Sequence, residues 1–279
     1  MQTDMQSQTP PITYTITILG CGTSTGVPLP GCHCDVCHST DLHNKRLRAS
    51  AHIASSDGLS VLIDAGPDLR QQALRAGIDH VDAVLFTHAH ADHILGIDDL
   101  RAFNFSSRRA ISCYASTETR AGICSVFNYV FNPHPLYEGK TVQLDLHTII
   151  EGEPVTIPDS NEQKTPVPLT FLPLTVYHGR LPVTMYRFGP IAYATDCNYI
   201  PPETLEQLNG VKVLFLDGLR VAPHPTHFSI SEACELAQKL QVPRTILIHL
   251  AHSVDYNDTM SRLPQGVELG FDGLQVNWG

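Results

Sequence analysis

An α/β fold is the first expectation for this chain, and three features of the sequence carry it. Short β-branched and apolar runs, such as Ile12 to Leu19 and Val61 to Asp64, alternate with stretches of helical spacing. Glycine and proline punctuate the joins between them. The residues with metal-binding chemistry stand just beyond apolar runs, and α/β enzymes place their sites in the loops after strands.

Met1 to Pro11 is polar, without the basic start and apolar block of a signal peptide, and reads as a disordered lead-in. Ile12 to Leu19 alternates β-branched residues with threonine, the pattern of a strand. It runs into Gly20-Cys21-Gly22-Thr23-Ser24-Thr25-Gly26. No Gly-Lys-Ser/Thr ending follows, so a tight turn bringing backbone close to a site is expected rather than a phosphate loop. Cys32-His33-Cys34-Asp35-Val36-Cys37 comes next, then a polar stretch to Ser50. Val61 to Asp64 is a second strand. A helix opens at Gly66-Pro67 and stops at Gly77. Val81 to Phe86 is a third strand. Between Arg101 and Leu146, Phe103, Phe105, Phe127, Tyr129, Phe131 and Tyr137 fit a satellite core better than a substrate pocket. Glu151 to Pro168, rich in Pro, Asp, Ser and Glu, reads as a surface loop. Further strands are expected over Leu169 to Tyr177, Met185 to Phe188, Ile191 to Thr195, Val211 to Leu216 and Thr245 to Ile248. Between the last two, Ser229 and Glu232 form a capping box, and Ile230, Ala233, Leu236, Ala237 and Leu240 fall at helical spacing.

With 42% hydrophobic and 16% charged residues over 279 positions, the chain can bury a sizeable core. A single domain over 12–279 is expected, with halves of about 12–150 and 169–279. No apolar run approaches the ~18 residues of a membrane helix, so a cytoplasmic protein without a membrane partner is expected. A net charge of −10 and the lack of a Lys/Arg-rich run count against a long nucleic acid as partner. Cys32, Cys34 and Cys37 cluster as metal ligands do in a cytosolic chain. The remaining cysteines are scattered and read as small buried hydrophobes.

Thr87-His88-Ala89-His90-Ala91-Asp92-His93 packs three histidines and an aspartate into six positions. Imidazole and carboxylate are ligands for a borderline-to-hard dication. His88 and His90 can close on one metal, leaving Asp92 and His93 for a second. A dinuclear site needs more donors, and His178, Asp196 and His249 each sit just beyond an expected strand. Strand ends converge on one rim, so these three can meet the first cluster.

On these residues the chain resembles the metallo-β-lactamase superfamily, whose signature His-x-His-x-Asp-His spans His88 to His93. Leu62-Ile63-Asp64-Ala65-Gly66 is similar to its first motif, and His178, Asp196 and His249 match its third, fourth and fifth. The resemblance runs from Gly20 to Gly273. It implies an αββα sandwich, two packed mixed sheets flanked by helices. It also implies one metal on His88, His90 and His178 and another on Asp92, His93 and His249. Asp196 would bridge them, with Asp64 supporting the loop.

A narrower resemblance rests on Gly22 to Pro28, the cysteine cluster, Asp68-Leu69-Arg70, Leu219-Arg220, Pro223-His224-Pro225-Thr226-His227 and His249-x-x-His252. Together these are similar to the PhnP-like branch, which contains the phosphoribosyl cyclic phosphate phosphodiesterase of bacterial phosphonate breakdown. That resemblance implies a structural zinc on Cys32, Cys34, Cys37 and His252, a Cys₃His set suited to a closed tetrahedral site. His33 and His38 lie beside the cluster and compete with His252 for the fourth place.

Two dications, the carboxylates of Asp92 and Asp196 and a bridging hydroxide would sum to about +1, which attracts a singly charged phosphodiester. Such metals lower the pKa of shared water and clamp charge developing on phosphorus. The expected function is a dinuclear metal-dependent phosphodiesterase acting on a small cyclic or nucleotide-like diester. His227 is the candidate general acid, with His224 as fallback. Manganese, zinc and iron all suit mixed His/Asp ligation. Arg70, Arg101, Arg180 and Arg220 are candidate phosphate contacts, each equally suited to pair with a surface carboxylate. One alternative is a tRNA 3′-end nuclease, which should show a long arm or a basic docking surface. Others are a glyoxalase-type thioester hydrolase and a non-hydrolytic accessory protein of pyrroloquinoline quinone synthesis. A homodimer is expected from superfamily habit.

Overall fold

The computed structural model describes residues 11–136, 139–157 and 169–279. In chain order the strands are β1 Tyr14–Gly20, β2 Ser50–Ser55, β3 Ser60–Ile63, β4 Ala83–Leu85, β5 Ile111–Ala115, β6 Leu144–Thr148 and β7 Val155–Thr156. They continue as β8 Thr170–His178, β9 Leu181–Phe188, β10 Ile191–Ala194, β11 Val213–Asp217, β12 Arg244–Ile248, β13 Val267–Leu269 and β14 Gln275–Trp278. Two seven-stranded sheets result, ordered β14-β1-β2-β3-β4-β5-β6 and β13-β12-β11-β10-β9-β8-β7. From β3 to β6 the pairing is parallel, as it is from β10 to β13.

Pleating makes this a layered sandwich. Val61, Ile63, Ala83 and Leu85 point into the core that the sheets share. Their neighbours Leu62, Val84 and Phe86 point the other way, onto Leu69, Ala73 and Ile94 of the covering helices. Successive strand residues face opposite sides, so the run Val61–Ile63 of β3 and the whole of β4 are apolar, as strands covered on both faces are. On the second sheet, the helix Ile230–Leu240 buries Ala233 and Ala237 beside β12. Its capping box is present, with Ser229 and Glu232 satisfying each other's backbone N–H groups. This is the αββα architecture the family resemblance implied.

Every expected strand forms, with shifted ends. Others went unread: β2 in the segment after the polar stretch, β5 and β6 in the irregular aromatic region, and β13 and β14 near the C-terminus. The surface-loop reading of 151–168 gains a correction, since β7 lies inside it and pairs with β8. Residues 158–168, Tyr137 and residues 1–10 of the lead-in lie outside the described residues. Phe103 and Phe127 are buried against the outer helices, which bears out a satellite core there, whereas Phe105 and Tyr129 are exposed.

Gly77 does stop its helix, Leu69–Ala76, from the left-handed region at φ 66°. Gly66 serves close approach instead: a Cβ there would lie 2.0 Å from the carbonyl oxygen of Asp92. Gly66→Ala is therefore expected to destabilise the protein by about 1–3 kcal/mol. The check is a lowered urea midpoint at unchanged m-value. Among the described residues no helix is long and apolar enough to cross a membrane.

Candidate active site

One rim of the sandwich, at the C-terminal ends of the central strands, gathers the residues with chemistry. Asp64 follows β3, the His88–His93 stretch follows β4, Asp196 follows β10, and His249 follows β12; His178 ends β8. Asp64, Asp196 and His249 carry positive φ values of 61°, 49° and 61°. Each such non-glycine residue costs on the order of 1 kcal/mol, and that strain persists only where the surroundings fix it.

The rings are held from behind. Asp64 Oδ1 accepts the Thr87 N–H at 2.8 Å, and its Oδ2 accepts the Thr87 hydroxyl at 2.8 Å and faces His93 Nδ1 at 2.7 Å. Thr87 Oγ1 in turn lies 3.0 Å from His88 Nδ1. His178 Nδ1 donates to the Thr226 carbonyl at 2.7 Å. Each contact fixes a tautomer that leaves Nε2 as a lone-pair donor toward the site.

Those free atoms converge. His93 Nε2 lies 3.2 Å from Asp92 Oδ2 and 3.2 Å from Asp196 Oδ1. His249 Nε2 lies 3.2 Å from Asp196 Oδ2 and 3.9 Å from Asp92 Oδ2. Donors held at 2.0–2.1 Å around one tetrahedral ion sit about 3.3 Å apart, so the set has the right size. On the other side of Asp196, His88 Nε2 is 3.9 Å from its Oδ2. The His90 ring is 4.5 Å from that of His88 and 5.3 Å from that of His178. His88 Nε2, His93 Nε2, Asp92 Oδ2 and both His249 ring nitrogens are buried without a hydrogen-bond partner. Leaving such groups bare costs about 1–3 kcal/mol each, a cost that divalent ions would remove. Burial lowers the pKa of His88 and of His178, keeping both rings neutral as ligands must be. Burial also works against a charge on Asp196, but His249 and His93 hold its carboxyl well below the usual range.

His227 lies against this rim. Its ring stacks on that of His249 at 4.8 Å and meets that of His178 at 4.4 Å. Its Nδ1 is 2.6 Å from Oδ2 of Asp217, the last residue of β11. Asp217 is fully buried, and its Oδ2 also accepts the Cys197 N–H at 2.9 Å. The sequence reading missed Asp217, although it obeys the strand-end rule that found Asp196. His224 is 5.0 Å from the His227 ring, and its Nδ1 lies within 3.2 Å of the Thr226 hydroxyl.

The arginines divide. Arg220 is spent on the carbonyls of Ala222 and Pro223, bracing the loop before His227. Arg70 and Arg101 line cavities whose walls, among the described residues, contain none of the seven donor residues. Arg180 follows Gly179, beside His178.

A second donor group stands apart from the rim. His252 Nδ1 lies 3.4, 3.5 and 3.8 Å from the sulfurs of Cys32, Cys34 and Cys37. A tetrahedral ion with ordinary zinc–sulfur and zinc–nitrogen bonds separates such atoms by about 3.5 Å. A backbone hydrogen bond at Cys37 and the His252 ring lower the Cys34 thiol to about 6, toward the thiolate a metal needs. His33 and His38 face each other at 3.3 Å and stay outside the group, so His252 holds the fourth place.

A family model described as "Beta-lactamase superfamily domain" matches residues 60–250. A solved structure described as "a New Diphosphatase from the PhnP Family" is 39% identical, with a TM-score of 0.85 over 96% of this chain and 98% of that one. The chain belongs to the beta-lactamase superfamily, in its PhnP-like branch. The "Octanoyltransferase" of Porphyromonas gingivalis is 41% identical over 261 residues, 93% of this chain. The alignment takes in 50% of that protein, so the chain spans about half the length of this curated relative. "Coenzyme PQQ synthesis protein B" of Xanthomonas campestris is 26% identical, covering 94% of this chain and 99% of its own. As a superfamily member the chain has the metallo-β-lactamase fold, and its donor clusters suit divalent metal ions.

Proposed function

We propose that the chain is a dinuclear metal-dependent phosphodiesterase acting on a small cyclic or nucleotide-like phosphodiester. His88, His90 and His178 would hold one ion and Asp92, His93 and His249 the other, with Asp196 shared. Manganese or zinc suits these donors, and iron is compatible. Cys32, Cys34, Cys37 and His252 would hold a structural zinc. Bound at the rim, two dications supply an acidified water and neutralise charge on the phosphoryl oxygens.

The observation that carries the reading is the Asp217–His227 pair set against the donor cluster. Asp217 holds His227 by Nδ1, leaving Nε2 to give a proton to a departing alkoxide. Asn198 joins the two loops concerned. Its Oδ1 accepts the Gly179 N–H at 2.8 Å and its Nδ2 donates to the Pro225 carbonyl at 3.0 Å. The proton donor is thereby kept in register with His178. A net charge of −10 favours a compact, weakly charged substrate over RNA.

A second reading, cleavage of a phosphoanhydride, is supported by the 39% identical PhnP-family diphosphatase. One assay separates the readings: bis(p-nitrophenyl) phosphate and a nucleoside diphosphate sugar, each with manganese or zinc, for wild type and Asp92→Ala. Metal-dependent turnover of the diester is expected, falling about 10²-fold or more in Asp92→Ala. Turnover of the anhydride alone would favour the second reading. Metal-dependent turnover of neither would leave a non-hydrolytic role like that of the PQQ synthesis relative.

A further inference from the structure

We propose a second binding site, for a small phosphorylated anion carrying two or more charges, in the cavity between the helix Arg101–Ser107 and β6. The cavity measures about 500 Å³ and, among the described residues, its wall brings together Arg101, Arg108 and Lys140 with no carboxylate. The chain has 18 Lys and Arg against 28 Asp and Glu, so three cations with no acid among them run against its composition. None of the three forms an ion pair among the described residues. The nearest acids named on that helical segment, Asp98 and Asp99, line a different groove, which shares Phe105 with this one.

Two further observations describe how the cations are held. Arg101 Nε is buried without a hydrogen-bond partner while its guanidinium lies 5.3 Å from the centre of the Phe105 ring. Arg108 caps the helix at φ 56°, the left-handed position where glycine or asparagine is the usual occupant. An arginine there accepts backbone strain in return for a cation at the mouth of the cavity. The floor is also preformed. Asn104 accepts the Gln143 N–H at 2.9 Å and donates to the carbonyls of Gln143 and Arg109, pinning the helix to the start of β6.

Arginine forks and an ammonium without acceptors are the complement of phosphate oxygens, which only accept. Three cations suit a dianion or more. The concave, bounded shape and the negative field of the whole chain favour a small molecule over a long polyanion. None of the wall residues is a donor of the metal centre, so this site stands or falls separately from the proposed hydrolysis.

The test titrates AMP into the metal-loaded protein by calorimetry at low and high salt. AMP has neither a diester nor an anhydride bond for the metal centre to cleave, and binding there is common to all variants. Arg101→Gln/Arg108→Gln/Lys140→Gln is expected to lose one class of sites, weakened about tenfold or more, together with most of the salt dependence. Arg108→Gly is expected to bind several-fold more weakly yet melt at a higher temperature, because it relieves the strained φ. Equal affinity and stoichiometry in wild type and the triple variant would overturn the proposal. So would an Arg108→Gly protein that melts lower and binds AMP as wild type does, since Arg108 would then be structural. A short single-stranded RNA that outcompetes AMP and depends on the same three residues would overturn the small-anion assignment.

Discussion

Asp217→Asn is expected to lower turnover about 10²-fold on a diester with an alkoxide leaving group, while metal content and folding stay as in wild type. The carboxylate sits 2.6 Å from His227 Nδ1 and is wholly buried. An asparagine keeps the shape but brings no negative charge to face Nδ1–H, so the doubly protonated ring that gives its proton from Nε2 loses its counter-charge. A p-nitrophenolate leaves without much help, so the same variant should lose far less on bis(p-nitrophenyl) phosphate. That contrast is the readout. Equal losses on both substrates would mean that Asp217 positions the metal donors rather than the proton, and would sink the role given to His227.

Asp217 also marks where sequence reasoning stops. The metal cluster is legible because His88, His90, Asp92 and His93 are contiguous, so local spacing alone carries their chemistry. His178, Asp196 and His249 are legible by one further rule, that polar residues just past apolar strands meet on a rim. Asp217 satisfies the same rule after Leu216, yet a single strand-end aspartate is usually a turn residue, and what distinguishes it is a contact with His227. Fold legibility divides similarly. Strands such as β3, β4 and β12 carry apolar runs, Val61–Ile63, Ala83–Leu85 and Ile246–Ile248, and announce themselves. β2 reads Ser-Ala-His-Ile-Ala-Ser and is stabilised mainly by its pairing with β1 and β3, partners that no local pattern names. β14 pairs with β1 across nearly the whole length of the chain, and it places the C-terminal strand in the N-terminal sheet.

Arg46 lies in what the sequence presents as a polar stretch, and it is 1% exposed. Its guanidinium donates to the carbonyls of His43, Ala251 and Val254 and to Asn44 Oδ1, at 2.8–3.1 Å. Ala251 stands between His249 of the rim and His252 of the cysteine cluster, so this one side chain fastens the segment that both donor groups share. Arg46→Met would remove four hydrogen bonds and strip the His43 and Val254 carbonyls of this donor, while Asn44 Oδ1 keeps the Tyr256 N–H and the Ala251 carbonyl keeps the Val254 N–H. It is expected to destabilise the fold by about 2–4 kcal/mol. Arg46→Lys should fall between, because one ammonium has three donors and lacks the planar fork. If the segment couples the two sites, Arg46→Met should lose zinc and activity together under conditions where it stays folded. Cys34→Ser supplies the comparison, since it removes one sulfur but leaves Arg46 gripping Ala251 and Val254. A Cys34→Ser protein with lowered activity at unchanged rim-metal content would assign the coupling to the cysteine cluster. Full activity there, with loss in Arg46→Met, would assign it to the arginine. Full activity and full zinc in both would show that the two donor groups are independent despite the few residues between them.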